Sequence, residues 1–167
     1  MRSILLSLHL LLVISFVGCS DDHQSEPINL EEKWISLCQK EGCLTGGQHW
    51  GPGTTEFSVF RQKEWQSFFI LPSSSTVPFL MDRLSSTQET IVHVCPFEMA
   101  IEGELALYAS EHILKSNWFG CDSRFIVLRK WAVKRKDVVN PLTRLILEDV
   151  DARNELKEHF LLQLEWT

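Results

Sequence analysis

The chain has 167 residues, a formal net charge of −6 at pH 7 and a hydrophobic fraction of 44%. This acidic balance argues against general nucleic-acid binding, because contacts to phosphate groups are made mainly by lysine and arginine. The length suits one ordinary domain, and the apolar residues are numerous enough to form its core.

An apolar segment opens the chain. Residues 4–17 are uncharged and mostly aliphatic, Arg2 precedes them, and Gly18 and Cys19 follow them. A positive residue, an apolar stretch and a small residue in this order are typical of a secretory signal peptide. The stretch is shorter than the run of about 20 apolar residues that a membrane-spanning helix needs. We therefore predict that residues 1–18 are a signal peptide.

The four residues 16–19, FVGC, resemble the lipobox of bacterial lipoproteins. In that family the signal is cut before the cysteine, whose thiol and new amine both receive acyl chains. The resemblance implies a lipid anchor at Cys19, and several acyl chains hold a protein stably on a membrane. Ser20 stands where aspartate would favour the inner membrane, which implies the periplasmic face of the outer membrane in a Gram-negative host. The alternative is an ordinary secreted chain with a free thiol.

Two parts follow the signal peptide. Polar residues dominate 19–29, which predicts a tether behind the lipidated cysteine. Residues 30–167 are the predicted globular domain. Its first apolar residues recur at helical spacing over 30–40, where Asn29 is the expected N-cap.

A glycine-rich loop over 41–53 is predicted after this helix. His49 and Trp50 are candidate binding residues there, because binding groups concentrate on loops. The aromatic-rich residues 54–71 predict a second helix, with a strand in the first half as the alternative.

A further helix is predicted around a proline. Thr76 or Ser75 is the expected N-cap, and Pro78 suits the first turn. The helix, polar turn and second helix over 60–85 resemble one helical hairpin of a HEAT-type repeat. Stable solenoids need about three or more such units, so the resemblance implies only a local hairpin.

The second half begins with a predicted strand. The β-branched residues over 87–97 predict a short extended piece that ends at Pro96. Apolar spacing over 102–116 predicts a helix. The expected buried face of that helix is Leu105, Tyr108, Ala109, His112 and Ile113.

Three segments complete the predicted fold. Residues 122–136, capped by Asp122 or Ser123, fit either a helix or a strand. A helix start is predicted at Asn140-Pro141, and Asp151 is expected to cap a last helix over 152–165. The sequence thus predicts a mainly α fold, a single small helical domain with one or two short strands, and an α+β fold is the alternative.

Four cysteines remain once Cys19 is assigned to the anchor. They are Cys38, Cys43, Cys95 and Cys121. An exported domain in an oxidising compartment tends to pair its cysteines. Of the three pairings we predict Cys38–Cys43 with Cys95–Cys121, which joins neighbours in sequence. The alternative is two or four buried free thiols, which pack as small hydrophobes.

His93 and Cys95 are the sharpest candidates for chemistry. With His112, Cys121 and Glu104 they suggest a metal site or a thiol nucleophile with a base. The Cys-x-x-Cys pairs that are typical of zinc sites do not occur. We therefore expect a structural disulfide and a core-packed His112 instead.

The segment 93–119 is similar to a pattern found in uncharacterised bacterial proteins. The pattern has His-x-Cys-Pro-Phe, then Gly-Glu, then a helix that ends before Asn-Trp-aromatic. No activity is attached to this pattern, so the resemblance implies no mechanism.

Charged residues form two further groups. Glu98, Glu102 and Glu104 suggest paired acids, but Glu102 and Glu104 diverge if they lie on a helix. We expect them instead to favour the positive end of that helix. The second group is a basic stretch in which candidate binding residues are Lys130, Lys134 and Arg135. It suits an anionic lipid surface or an acidic partner, and a solvated helix face is the alternative.

These patterns predict a non-enzymatic, lipid-anchored envelope protein. We expect the domain to bind a protein partner, as an immunity or inhibitor protein does, and we predict no catalytic residue, no metal and no cofactor. The alternative function is a thiol- or metal-dependent enzyme centred on Cys95 and His93. A third interpretation is a structural role in which the basic stretch packs against the membrane.

Overall fold

The structure, a computed structural model, describes residues 29–44, 59–95, 98–134 and 142–165. Within these residues no helix is both long and apolar enough to cross a membrane. Some of the sequence predictions fall on other parts of the chain and lie outside the described residues. They concern the signal peptide, the lipidated Cys19, most of the tether, the helix start at Asn140-Pro141, and the candidate binding residues His49, Trp50 and Arg135.

Helices dominate the described residues, which confirms the predicted mainly α fold; these residues form three short strands where one or two were predicted. The helices are α1 Leu30–Cys38, α2 Lys63–Phe69, α3 Ser73–Met81, α4 Glu102–Leu114, α5 Ile126–Lys134, α6 Leu142–Glu148 and α7 Val150–Leu164. The strands are β1 Gly42–Cys43, β2 Glu89–Cys95 and β3 Glu98–Ile101. Single 3-10 turns at Val59–Arg61 and Trp118–Gly120 precede α2 and α5.

The three strands form one small sheet in the order β1-β2-β3. β1 runs parallel to β2 and β3 runs antiparallel to it, so that Cys43 and Met99 lie on either side of His93. Val92 of β2 and Ala100 of β3 point into the core and are 0% exposed. The strand predicted from the β-branched run is β2. The sequence does not predict β3, because most of its residues have little β propensity.

Helix α4 lies at the centre of the domain. It packs against α3, α6 and α7, and Leu105, Ala106 and Leu107 are fully buried. Its first turn passes close to the turn after α3, since a Cβ on Gly103 would lie 2.7 Å from the carbonyl oxygen of Leu84. The glycine therefore permits the close contact between these two parts of the chain.

The buried face predicted for α4 is confirmed only in part. Leu105 and Ala109 are buried, and Tyr108 and Ile113 pack partly buried against the core. His112 is exposed, which corrects the expectation of a core-packed histidine. The helix buries a wide arc near its beginning and a narrow one near its end, where fewer elements cover it.

An aromatic cluster joins α1, α2 and α3. Trp34 of α1 meets Trp65 of α2 and Phe79 of α3 edge-on, with ring centroids 5.9 and 6.2 Å apart. Trp34 and Trp65 are both 0% exposed. Aromatic pairs at such separations each add about 0.5–1.5 kcal/mol beyond the burial of their surface. The cluster therefore fixes α1 against the rest of the core.

The N-cap predicted for α1 is confirmed and that for α7 is wrong. Asn29 accepts a hydrogen bond from the backbone N–H of Glu32. Asp149, and not Asp151, caps α7, because its carboxylate accepts from the N–H groups of Asp151 and Ala152. Asp151 lies in the first turn, where a negative side chain still interacts favourably with the helix dipole.

Helix α3 begins earlier than predicted. Its first residue is Ser73, so Pro78 lies inside the helix and not in its first turn. The hydroxyls of Ser75 and Thr76 donate to the carbonyl oxygen of Pro72 and do not cap an N–H group. Pro78 lacks an N–H and removes one hydrogen bond from the helix interior.

The predicted disulfides are wrong for the described thiols, since Cys38, Cys43 and Cys121 are all free. A disulfide needs Cβ atoms about 4 Å apart with suitable orientation. Cys38 ends α1 and its side chain is turned into the core, with 7% exposure. Cys43 lies instead on the sheet beside His93. Because Cys121 is free, it is not bonded to Cys95.

Candidate functional site

His93 and Cys95 share the strand β2, whereas the other residues that suggested a metal or thiol site are dispersed over the fold. His93 lies in the middle strand, His112 near the end of α4, and Cys121 directly after the 3-10 turn before α5. Glu104 is paired with an arginine of α6. In the described part of the chain, no group of three or more His, Cys, Asp or Glu is placed to hold a metal ion.

His112 packs as an aromatic ring. The centroid of its imidazole lies 4.2 Å from that of Phe69. Partial burial, together with the charge of nearby Lys115, lowers the pKa of His112. The neutral ring is therefore favoured, and it extends the aromatic cluster at the surface.

The two carboxylates at the beginning of α4 diverge, as the sequence predicts. Glu104 is 0% exposed, and one of its oxygens accepts hydrogen bonds from Ile101 N at 3.0 Å and Arg144 Nη2 at 2.9 Å. Glu102 faces the other way, where its Oε1 accepts from Trp34 Nε1 at 2.6 Å. Because the two side chains meet different elements, they cannot act as paired acids across one cleft.

Glu102 lines a cleft of ≈ 390 Å³ between α1, the end of α3 and the strand β2. We call this the acidic cleft, because three carboxylates and one guanidinium line it. Its charged residues are Glu31, Asp82, Arg83 and Glu102.

Arg83 is the central charge of the acidic cleft. Its guanidinium carbon lies 3.6 Å from the centroid of the Phe79 ring, and Nη1 donates to the Phe79 carbonyl oxygen at 3.2 Å. Nη2 forms an ion pair with Glu31, and Nε lies 3.5 Å from Glu102 Oε1. These contacts hold the guanidinium in place between the two carboxylates.

Acidic character dominates the mouth of the cleft. Asp82, at its rim, pairs with Lys157 of α7 at 2.6 Å, and both side chains are exposed. No described residue donates a hydrogen bond to Glu102 Oε2. Three carboxylates against the two cations Arg83 and Lys157 leave a small negative excess, which favours a cationic group such as an ammonium ion over an anion.

The thiol at the cleft is not a nucleophile. Burial, reinforced by the negative charge of Glu102, raises the pKa of Cys38 to about 12. The thiolate, which is the reactive form, is then negligibly populated at neutral pH. Cys38 therefore packs as a small apolar residue.

Sequence reasoning missed the acidic cleft because its contacts are long-range. Trp34 and Glu102 are 68 residues apart in the chain, and Arg83 belongs to a third element. Each residue was placed on a helix or in the core without any local pattern that pairs it with the others. A single arginine after an apolar helix is too common a feature of sequences to indicate a site.

Helix α5 carries the basic residues that the sequence singled out. The segment predicted as either helix or strand is helical, and Lys130 and Lys134 are exposed on one side of it. The same side carries two large exposed apolar side chains, Ile126 at 61% and Val133 at 69%. We call this face, formed by Ile126, Arg129, Lys130, Val133 and Lys134, the α5 surface.

The opposite side of α5 is firmly held. Leu128 is 0% exposed, and the carboxylate of Glu155 in α7 accepts hydrogen bonds from Val127 N and Leu128 N, each at 2.9 Å. Trp131 Nε1 donates to Asp149 Oδ2 at 3.1 Å. The α5 surface is therefore presented in a fixed orientation.

Comparison with known proteins provides no evidence about the function of this chain. No protein-family model, curated protein or solved structure matches the chain. The functional interpretation therefore rests on the N-terminal sequence and on the chemistry of the α5 surface.

Proposed function

We propose that this protein is a lipid-anchored envelope protein whose domain binds another protein and catalyses no reaction. The resemblance of residues 16–19 to a lipobox supports the anchor. The α5 surface supports the binding function. An immunity or inhibitor protein is one concrete form of this proposal.

The exposed pair Ile126 and Val133 carries the proposal. The two residues are seven positions apart on one helix, so their side chains lie on the same side two turns apart. Apolar side chains framed by polar or charged ones are typical of protein interfaces. Arg129, Lys130 and Lys134 provide that frame.

The charge of the α5 surface indicates the kind of partner. The chain has a net charge of −6, whereas the charged residues of this surface are all cationic. A partner with acidic residues around an apolar centre would be attracted and oriented by it. Because Glu155 and Asp149 fix α5 from behind, binding requires little ordering of the helix.

The anchor is tested by Cys19→Ser in the native host. Wild-type protein should fractionate with membranes and have a mass increased by the acyl chains. The variant should lose the lipid and leave the membrane fraction or stay unprocessed. Unchanged mass and fractionation would contradict the anchor.

The partner surface is tested by paired substitutions. The variant Ile126→Asp with Lys130→Glu changes the α5 surface. The variant Ile70→Asp with Lys63→Glu, the α2 control, makes the same chemical change on two exposed residues at the beginning and just past the end of α2. A protein recovered from native envelope by the wild type and the α2 control, but not by the α5 variant, would support the proposal. Equal recovery by both variants would refute it.

Membrane binding is separated by a second assay. The α5 variant and the α2 control are each made in the Cys19→Ser chain, which carries no acyl chains, and are mixed with protein-free vesicles of anionic phospholipid; both then have the same N-terminus. Binding that the α5 variant loses and the α2 control keeps would assign the surface to lipid and not to a protein partner.

A further inference from the structure

We infer that Cys43, His93 and Met99 form a binding site for a soft monovalent metal ion, Cu(I), on the outer face of the sheet. This inference goes beyond the proposed function and uses neither the α5 surface nor the lipid anchor.

The strand register places the three donors in one row. Cys43 of β1 is the partner of His93 in the parallel pair, and Met99 of β3 is the partner of His93 in the antiparallel pair. Neighbouring strands lie about 4.8 Å apart, and residues opposite one another extend to the same face of a sheet. The imidazole therefore has a sulfur-bearing side chain on each side.

Burial shows which face the row occupies. The residues that flank His93, Val92 and Val94, are 0% and 7% exposed, so they point into the core. His93 itself is only half-buried, and Met99 is 40% exposed next to the buried Ala100. Cys43 is also partly exposed. All three residues thus lie on the face of the sheet turned away from the core, where the Cys43 and Met99 side chains remain accessible.

The histidine has an unsatisfied nitrogen. Nδ1 of His93 is buried and has no hydrogen-bond partner among the described residues. A buried nitrogen without a partner is costly, and an unfilled metal site is one of its ordinary explanations. His93 therefore offers a ring nitrogen without a protein partner in the row that Cys43 and Met99 flank.

The donor types select the metal. Thioether and thiolate sulfur are soft ligands that favour Cu(I), and imidazole also suits copper. Zinc sites take four ligands from cysteine, histidine and carboxylates. Since the row has only two such residues and a thioether as its third member, it fits Cu(I) better. Binding releases the proton of the Cys43 thiol.

The test uses the full chain with Cys19→Ser, purified in detergent under anaerobic reducing conditions. Cu(I) is titrated in competition with the chelator bicinchoninate. We expect the chain to withdraw one Cu(I) from the chelator, with a new ultraviolet absorption from sulfur-to-copper charge transfer. Absence of competition, or equal binding of Zn²⁺, would overturn the inference.

Single substitutions locate the ion. Cys43→Ser, His93→Gln and Met99→Leu should each weaken Cu(I) binding by at least about tenfold, with the helical circular dichroism of the metal-free chain unchanged. The controls Cys121→Ser and His112→Gln remove the same donor types elsewhere and should bind as the parent does. Met99→Leu preserves volume at an exposed position, so it decides the question if another variant fails to fold. Unchanged binding in Met99→Leu, or weakened binding in either control, would refute the assignment.

Discussion

Glu102 and Glu104 lie two residues apart in the first turn of α4 and meet opposite environments. Glu104 is fully buried and bonded to Arg144 of α6, whereas Glu102 is 15% exposed at the acidic cleft and shared between Trp34 and Arg83. Residues two apart on a helix point to nearly opposite sides. The first turn of α4 therefore has two roles: Glu104 bonds α4 to α6, and Glu102 lines the acidic cleft.

The ion pair between Glu104 and Arg144 also contains polar atoms that make no hydrogen bond. Glu104 Oε1 and Arg144 Nε are buried without a hydrogen-bond partner among the described residues. Burial of charge is costly, and removal of one member leaves the other uncompensated. Glu102 retains contact with water, which moderates any change in its surroundings. Substitution of Glu104 should therefore reduce the unfolding free energy severalfold more than the same substitution of Glu102.

The largest effect is expected for Glu104→Gln. Loss of the charge at the fully buried Glu104 leaves the Arg144 guanidinium without its carboxylate partner, with only its hydrogen bond to the Met99 carbonyl oxygen and a neutral amide oxygen as acceptors. This should cost about 3 kcal/mol of unfolding free energy. Arg144→Met should cost a similar amount, while the double variant should be much less destabilised than the sum of the two. Urea unfolding of all four chains measures this coupling. Additive losses would mean that the two residues stabilise the fold independently.

The glycine between the two carboxylates should give the next largest effect. In Gly103→Ala the new Cβ would lie 2.7 Å from Leu84 O and 3.0 Å from Ser86 O, and backbone atoms cannot move aside cheaply. We expect a loss of about 1–3 kcal/mol. The control is Gly120→Ala, whose Cβ would meet only Asn117 Oδ1 at 3.4 Å. Equal losses of stability in Gly103→Ala and Gly120→Ala, measured by thermal unfolding, would contradict this prediction.

A smaller effect is expected for Glu102→Gln. The amide oxygen can still accept the hydrogen bond from Trp34 Nε1, so only the attraction to Arg83 is lost. Because the site is partly solvated, the cost should be about 0.5–1 kcal/mol. The change should also weaken binding of a cation in the acidic cleft, which isothermal titration with a small alkylammonium ion can measure. A loss as large as that of Glu104→Gln would remove the distinction between the two sites.

The sequence predicts the helices around Glu102 and Glu104 but not the contacts that their side chains make. Helical spacing gives α4 and its divergent carboxylates, and Asn29 gives the start of α1, because these features depend on residues close together in the chain. The pairing of Glu104 with Arg144 spans 40 residues, and no local pattern indicates it. Sequence reasoning thus locates the helices without identifying what each charge meets.

The cysteines show the same limit more strongly. The disulfides were predicted from number and compartment, which say nothing of where the side chains point. Cys38 turns into the core at the end of α1, while Cys43 lies on the sheet next to His93. The register that joins Cys43, His93 and Met99 depends on strand pairing, and two of the three strands are not evident in the sequence.

The smallest effect is expected at the rim of the acidic cleft, where Lys157 and Asp82 lie 2.6 Å apart. This separation is shorter than the 2.9 Å between Arg144 and Glu104, yet 45% and 66% of the two rim side chains are exposed. Water solvates both charges when the contact breaks, so Lys157→Met should change the unfolding free energy by no more than about 0.5 kcal/mol. Urea unfolding at low and high salt measures this, and the small effect should fall further at high salt. If Lys157→Met instead destabilised the domain as much as Arg144→Met, distance and not burial would govern the strength of the ion pairs in this protein.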